Sequence, residues 1–201
     1  MKNNFLLLLL FIFSQQVISQ TSEESIAKVR KMYKETENVL KTCKIIKSTD
    51  WVDEDQYNGY TPEITAYYDP RRKEIVKIVE YGAADWHEYR SSYYLRGGNL
   101  FFVFIESNSA DEMFTADEMN MSEEELHESG GEAKTMNYSE ERIYLLNWKV
   151  IRDLTKQKVV DVSEEPNLKE IKNKEEVIVP GVYEGVFSHL EKMLTYLKAK
   201  I

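Results

Sequence analysis

Three stretches of this chain of 201 residues follow one plan: a tyrosine-bearing strand, a short turn, and an apolar strand running back. Thr65-Ala66-Tyr67-Tyr68 leads through Asp69-Pro70-Arg71-Arg72 into Ile75-Val76-Lys77-Ile78-Val79. Ser91-Ser92-Tyr93-Tyr94 leads through Arg96-Gly97-Gly98-Asn99 into Leu100 to Ile105, and Glu141-Arg142-Ile143-Tyr144 leads through Asn147-Trp148 into Val150-Ile151-Arg152. Aromatic and β-branched residues suit a pleated surface, and Gly-Gly accepts the positive φ angles of a two-residue hairpin turn. Three hairpins are therefore expected. Two-residue turns at Gly97-Gly98 and Asn147-Trp148 predict Tyr94 opposite Phe101, Tyr144 opposite Ile151 and Arg142 opposite Asp153. A four-residue loop from Pro70 to Lys73 predicts Tyr68 opposite Ile75. Leu100 to Ile105 is apolar on both faces, as in an interior strand covered from each side.

Helical spacing brackets this region. Ile26, Val29, Tyr33, Thr36, Leu40, Cys43 and Ile46 recur at three- and four-residue steps, and Thr21 with Glu24 supplies a capping box. After Pro180-Gly181, Val182, Val186, Leu190, Met193, Leu194 and Leu197 form a second apolar stripe. The expected fold class is α+β: an antiparallel β-meander of about six strands with an N-terminal and a C-terminal amphipathic helix on one side. Cys43, the only cysteine, is expected to be buried on the first helix stripe.

Two stretches look less regular. Residues 108–138 form an acidic insertion between the second and third hairpins, with Lys134 its single basic residue and Ser122 and Glu125 able to cap one short helix ended by Gly130-Gly131. Such a segment is expected to be a mobile loop. Residues 155–174 are polar and read as a connector.

Residues 1–19 have the anatomy of a secretory signal peptide: Lys2, an apolar run from Phe5 to Phe13, then a polar stretch with small Ser19 at the expected cut. The run is too short to span a bilayer, and no cysteine follows it to take a lipid. The expectation is a single α+β domain over 20–201, secreted or periplasmic, with no stable membrane insertion after cleavage. The formal charge of -9 opposes nucleic-acid phosphates, and no local basic patch reverses it in the sequence. One cysteine excludes internal disulfides and multi-cysteine zinc sites.

The segments YYDPRRKEIVKI, YYLRGGNLFFVFIES and ERIYLLNWKVIR resemble the repeated tyrosine-hairpin units of a group of uncharacterised exported bacterial proteins. More distantly they are similar to MORN-type hairpin repeats, which serve as binding or scaffolding surfaces. The likeness covers residues 63–154 and implies a fold, not an activity. Gly97-Gly98-Asn99 and Asn147-Trp148-Lys149 stand where such units carry an Asn-Gly-Lys turn.

Catalytic signatures are missing: no HExxH pair among His87, His127 and His189, no GxSxG elbow, no phosphate-binding loop. No catalytic residue, cofactor or metal is assigned. Asp53, Asp55 and Asn58 hint at a calcium loop but lack the glycine it requires, and Glu124, Glu125, His127 and Glu128 could hold a cation only weakly. The reading leans away from an enzyme, toward an exported binding or structural protein whose partner is a protein, peptide or glycan. Trp148, Trp86 and Tyr93 are the candidate contact surface, because large rings near loop tips mark recognition sites. Two alternatives remain, a hydrolase using a carboxylate pair and an inhibitor of a secreted enzyme whose acidic insertion fills a basic cleft.

Overall fold

A computed structural model describes residues 23–52, 62–84, 86–164 and 166–201. The signal segment, the Thr21 cap and the Asp53, Asp55 and Asn58 cluster lie outside them. The described chain is α+β, built on one antiparallel sheet whose eight strands stand in strict sequence order. These are β1 (Lys44–Ser48), β2 (Glu63–Asp69), β3 (Glu74–Ala84), β4 (His87–Arg96), β5 (Asn99–Met113), β6 (Ala133–Leu146), β7 (Lys149–Asp161) and β8 (Lys174–Glu175). The six expected strands are present, and β1 and β8 are added at the edges.

Helix α1 occupies residues 23–39 and ends earlier than its apolar spacing predicts. A 3-10 turn at Leu40–Thr42 follows, and Cys43 is already extended at ψ 148°. Ile46 fits a helical repeat, but Lys44-Ile45-Ile46-Lys47 pairs with β2 instead, burying Ile46 and Ser48 on one face. Cys43 is accordingly half-buried in a connector rather than sealed on a helix. Burial and the nearby Asp69 carboxylate raise its thiol pKa.

The three hairpins form where expected, with the turn pairs Arg96–Asn99 and Leu95–Leu100 and with Tyr68 opposite Ile75. Beyond the two tight turns the predicted pairs are displaced by one residue. Tyr94 faces Phe102, Tyr144 faces Arg152, and Asp153 faces Ile143 rather than Arg142. A β-bulge next to each turn leaves Val76, Phe101 and Ile151 without an opposite residue. A bulge sets two successive side chains on nearly the same face and sharpens the local twist. Phe101 and Phe102 thus both join the α1 cluster.

The acidic insertion is more ordered than its composition suggests. β5 and β6 run on together as far as Met113 and Ala133, and two short helices, α2 (Ala116–Met119) and α3 (Glu123–Ser129), cap the ribbon. Each helix begins with a capping box, Thr115 with Glu118 and Ser122 with Glu125, and α3 stops at Gly130 with φ 78°. Asn137, Tyr138 and Ser139 pair with β7 as well as β5, so the ribbon is held from both sides. The first third of the stretch read as a connector, up to Asp161, is β7, whose Lys-Gln-Lys stretch alternates between faces and pairs with β6.

Helix α4 (Glu184–Lys198) forms as the second stripe requires, with Leu190, Met193 and Leu197 completely buried. The two long helices do not share a side. α4 packs on Ile64, Ile78, Leu95, Leu100, Val103 and Ile143, whereas α1 packs on Tyr94, Phe101, Phe102 and Tyr144. Alternation along β5 explains this: Leu100 and Val103 point one way, Phe101 and Phe102 the other. A strand apolar on both faces needs a cover on each.

Candidate functional site

α1 crosses its face of the sheet from β7, where Glu23 meets Arg152 at 3.0 Å, to β3 and β4. There Glu37 accepts from Lys77 and from the Tyr94 hydroxyl, both at 2.9 Å, and Glu35 pairs with Arg96 at 2.8 Å. Between this helix and the tips of the second and third hairpins lies a cavity of about 410 Å3. Its apolar part comes from Met32, Phe101 and Leu146, with the fully buried Leu100 and Leu145 beneath them. Its polar part comes from Lys28, Lys31, Glu35, Arg96, Asn99 and Asn147. Residues 28, 31, 32 and 35 fall at helical spacing, so one flank of α1 supplies them together.

Three cations against one carboxylate line this groove in a chain of net charge -9. Hydrogen bonding to Arg96 is the main cause that holds the Glu35 carboxyl below its ordinary pKa, and the Arg96 and Lys31 charges add to it. Arg96 spends its Nη2 on Glu35, while its buried Nε has no acceptor. A second cavity of about 400 Å3, lined by residues of β4, β5 and β6 and by Leu168, is acidic. Glu106 and Glu140 stand directly opposite each other in it, beside Glu88 and a single cation, Arg90.

The α4 face carries buried polar groups that the sequence did not announce. Glu80, 2% exposed, accepts from Tyr89 and Tyr93 hydroxyls at 3.2 and 3.3 Å and lies 2.9 Å from His189 Nε2. The His189 ring in turn meets Trp51 edge-on, centroids 5.0 Å apart. Toward β7, the Tyr183 hydroxyl donates to Asp153 Oδ2 at 2.8 Å. Asp153 Oδ1 is buried with no hydrogen-bond partner, and the Glu141 carboxyl lies close to the Asp153 side chain. Burial, then the charges of Asp153 and Glu176, pushes Glu141 up to about 7. A carboxyl that holds its proton longer than usual can donate to a neighbouring carboxylate.

The proposed contact residues do not meet. Tyr93 is 5% exposed beneath α4, where its ring is core and its hydroxyl serves Glu80. Trp148 sits at the tip of the third hairpin with φ 62°, half-buried, its indole N–H donating to Asn99 at 2.9 Å and its ring edge-on to Phe187 at 5.8 Å. Trp86 lies at the opposite end of the strands, its indole N–H donating to the Gly130 carbonyl at 3.1 Å. Both tryptophans thus tie neighbouring segments together. His127 is exposed on α3, and no group of three or more metal-ligating side chains occurs among the described residues. No described helix is long and apolar enough to cross a membrane.

Sequence spacing could have placed Lys28, Lys31, Met32 and Glu35 on one helix flank. Their meeting with Arg96 and Leu145 depends on α1 taking the aromatic face. Comparison with protein-family models, with curated proteins and with solved structures finds no match for this chain.

Proposed function

We propose that this is an exported, non-enzymatic binding protein whose ligand site is the groove between α1 and the tips of the second and third hairpins. One observation carries the reading: the groove combines an apolar floor with a small set of convergent polar groups, in a volume of about 410 Å3. Small-molecule sites have that make-up and that range of size. The groove also rests on the best-buried part of the sheet, where Leu100 and Leu145 are fully buried, so its floor is fixed before a ligand arrives.

The uncharged fluorophore N-phenyl-1-naphthylamine tests the site. Its emission should rise and shift to shorter wavelength on binding, and Met32→Arg, which sets a charge on the floor, should reduce affinity at least about tenfold. The folded state of the variant is checked by circular dichroism. Absence of binding, or binding indifferent to Met32→Arg, would overturn the reading. The export half has its own test: protein recovered from the periplasm or medium should begin near Gln20.

A hydrolase is the second reading, favoured by the facing carboxyls of Glu141 and Asp153. Against it stands the 3% exposure of Asp153 under Tyr183, which leaves no room for a scissile bond between the two. Hydrolysis of an envelope polymer that Glu141→Gln abolishes would reverse this preference.

A further inference from the structure

We propose that the groove selects an amphipathic anion, a carboxylate or similar head on an alkyl or aryl body; this rests on the groove being the ligand site. The groove's charge runs against that of the molecule. Lys28 and Lys31 line it and form no ion pair with any described residue. Arg96, the third cation, is only partly neutralised, since Glu35 engages Nη2 and leaves the buried Nε without an acceptor. Three positive groups with one counter-charge, kept at the lip of an apolar floor, leave a net positive charge that an incoming anion would complete.

Division of the groove fixes where the two ends of a ligand would go. Lys28 and Lys31 stand one turn apart on the exposed flank of α1, and Met32 comes next on the side turned to the sheet. An ionised head pairing with the lysines would therefore keep part of its water, while the body lies against Met32, Phe101 and Leu146. A cationic head in the same place would meet like charge. A neutral head would gain the floor and nothing from the rim. Sign of charge thus decides among ligands that share a body.

Competition for bound N-phenyl-1-naphthylamine separates this proposal from the reading beneath it. Three ligands with a ten-carbon chain are compared at low salt: decanoate, decanol and decyltrimethylammonium. Decanoate should displace the probe at concentrations about tenfold or more below those the cation requires, with decanol between them. Lys28→Gln with Lys31→Gln should weaken decanoate about five- to tenfold and leave decanol within about twofold. Raising the salt to about 0.5 M should erode the preference, because both lysines face solvent. Equal displacement by all three overturns the anion preference and leaves the groove standing as a site. Failure of the probe itself to bind removes both. A preference for decanoate that the double variant does not reduce also overturns the proposal, because it places the anion elsewhere.

Discussion

The two faces of the sheet receive similar helices and end in different states. On one, α4 beds Leu190, Met193 and Leu197 against aliphatic strand residues, and all three are fully buried. On the other, α1 rests on Tyr94, Phe101, Phe102 and Tyr144; its Ile26 and Val29 are fully buried, while Met32, beside the groove, and Tyr33 are only partly covered. Rings pack edge to face, as Tyr33 does on Phe102 at 5.5 Å and 77°, and leave wedge-shaped gaps at their margins. Branched aliphatic chains interdigitate and fill theirs. The cavity beside α1 is about 410 Å3, and the one where α4 meets the tips of the first and second hairpins is about 160 Å3. Choice of side chain on each face, under one backbone, decides which side is sealed and which can take a guest.

The largest test of this contrast is to remove buried volume from each helix. Leu190→Ala should cost about 3–4 kcal/mol in urea unfolding, as expected for a close-packed leucine. Val29→Ala under α1 should cost about 1–2 kcal/mol. Equal losses would mean that the aromatic face is as tightly closed as the aliphatic one.

Next comes the carboxyl pair under α4. Glu141 has a native pKa of about 7 against an ordinary 4.5, so the native state holds more protons than the unfolded state between those values. Stability from this group is complete below about pH 4.5 and is lost as pH rises through about 7. Allowing for its part exposure to water, the loss should amount to about 1–2 kcal/mol. Glu141→Gln, whose amide donates at every pH, should flatten that part of the melting-temperature profile. Lys174 pairs with Glu176, whose charge helps raise Glu141, and so bears on the same profile. An unchanged profile would remove the shared proton from the account. Smallest of all is the turn. Asn147 at φ 51° should accept glycine with a gain of a few tenths of a kcal/mol, read from the urea midpoint, and a clear loss would show that its side chain holds the groove rim.

Local chemistry in the sequence was enough for the hairpin turns, the Ser122 cap, the Gly130 stop and the C-terminal stripe. In each case, residues within a few positions of one another determine the geometry. The end of α1 was not legible, because Ile46 satisfies a period of 3.6 as well as it satisfies alternation, and pairing with Tyr67 and Ala66 of β2 decides between them. Bulges at Phe101 and Ile151 were hidden for a similar reason: one unpaired residue leaves the composition of a strand unchanged. Charge alone hid the order of the acidic ribbon and the extension of β7 past Thr155, although Arg142 near Glu140 and Lys134 near Glu118 show how acids persist on paired strands and short helices. The groove was beyond reach, since its walls come from residues 28–35, 96–101 and 145–147. The same is true of Glu80, whose burial depends on a histidine 109 positions away.

Because every strand bonds only to those before and after it in the chain, the sheet can grow in the order in which the polypeptide is made. Its roofs cannot. The helix that precedes all the strands is available from the outset, whereas α4 arrives after the last of them and reaches back to the first, with Lys200 gripping Asp50 at 3.0 Å. Until then the aliphatic surface stands open to water and to other chains. α4 and the residues just after it therefore act as the fastener of the sheet, and the interval before they close is when that surface is most exposed to misassembly.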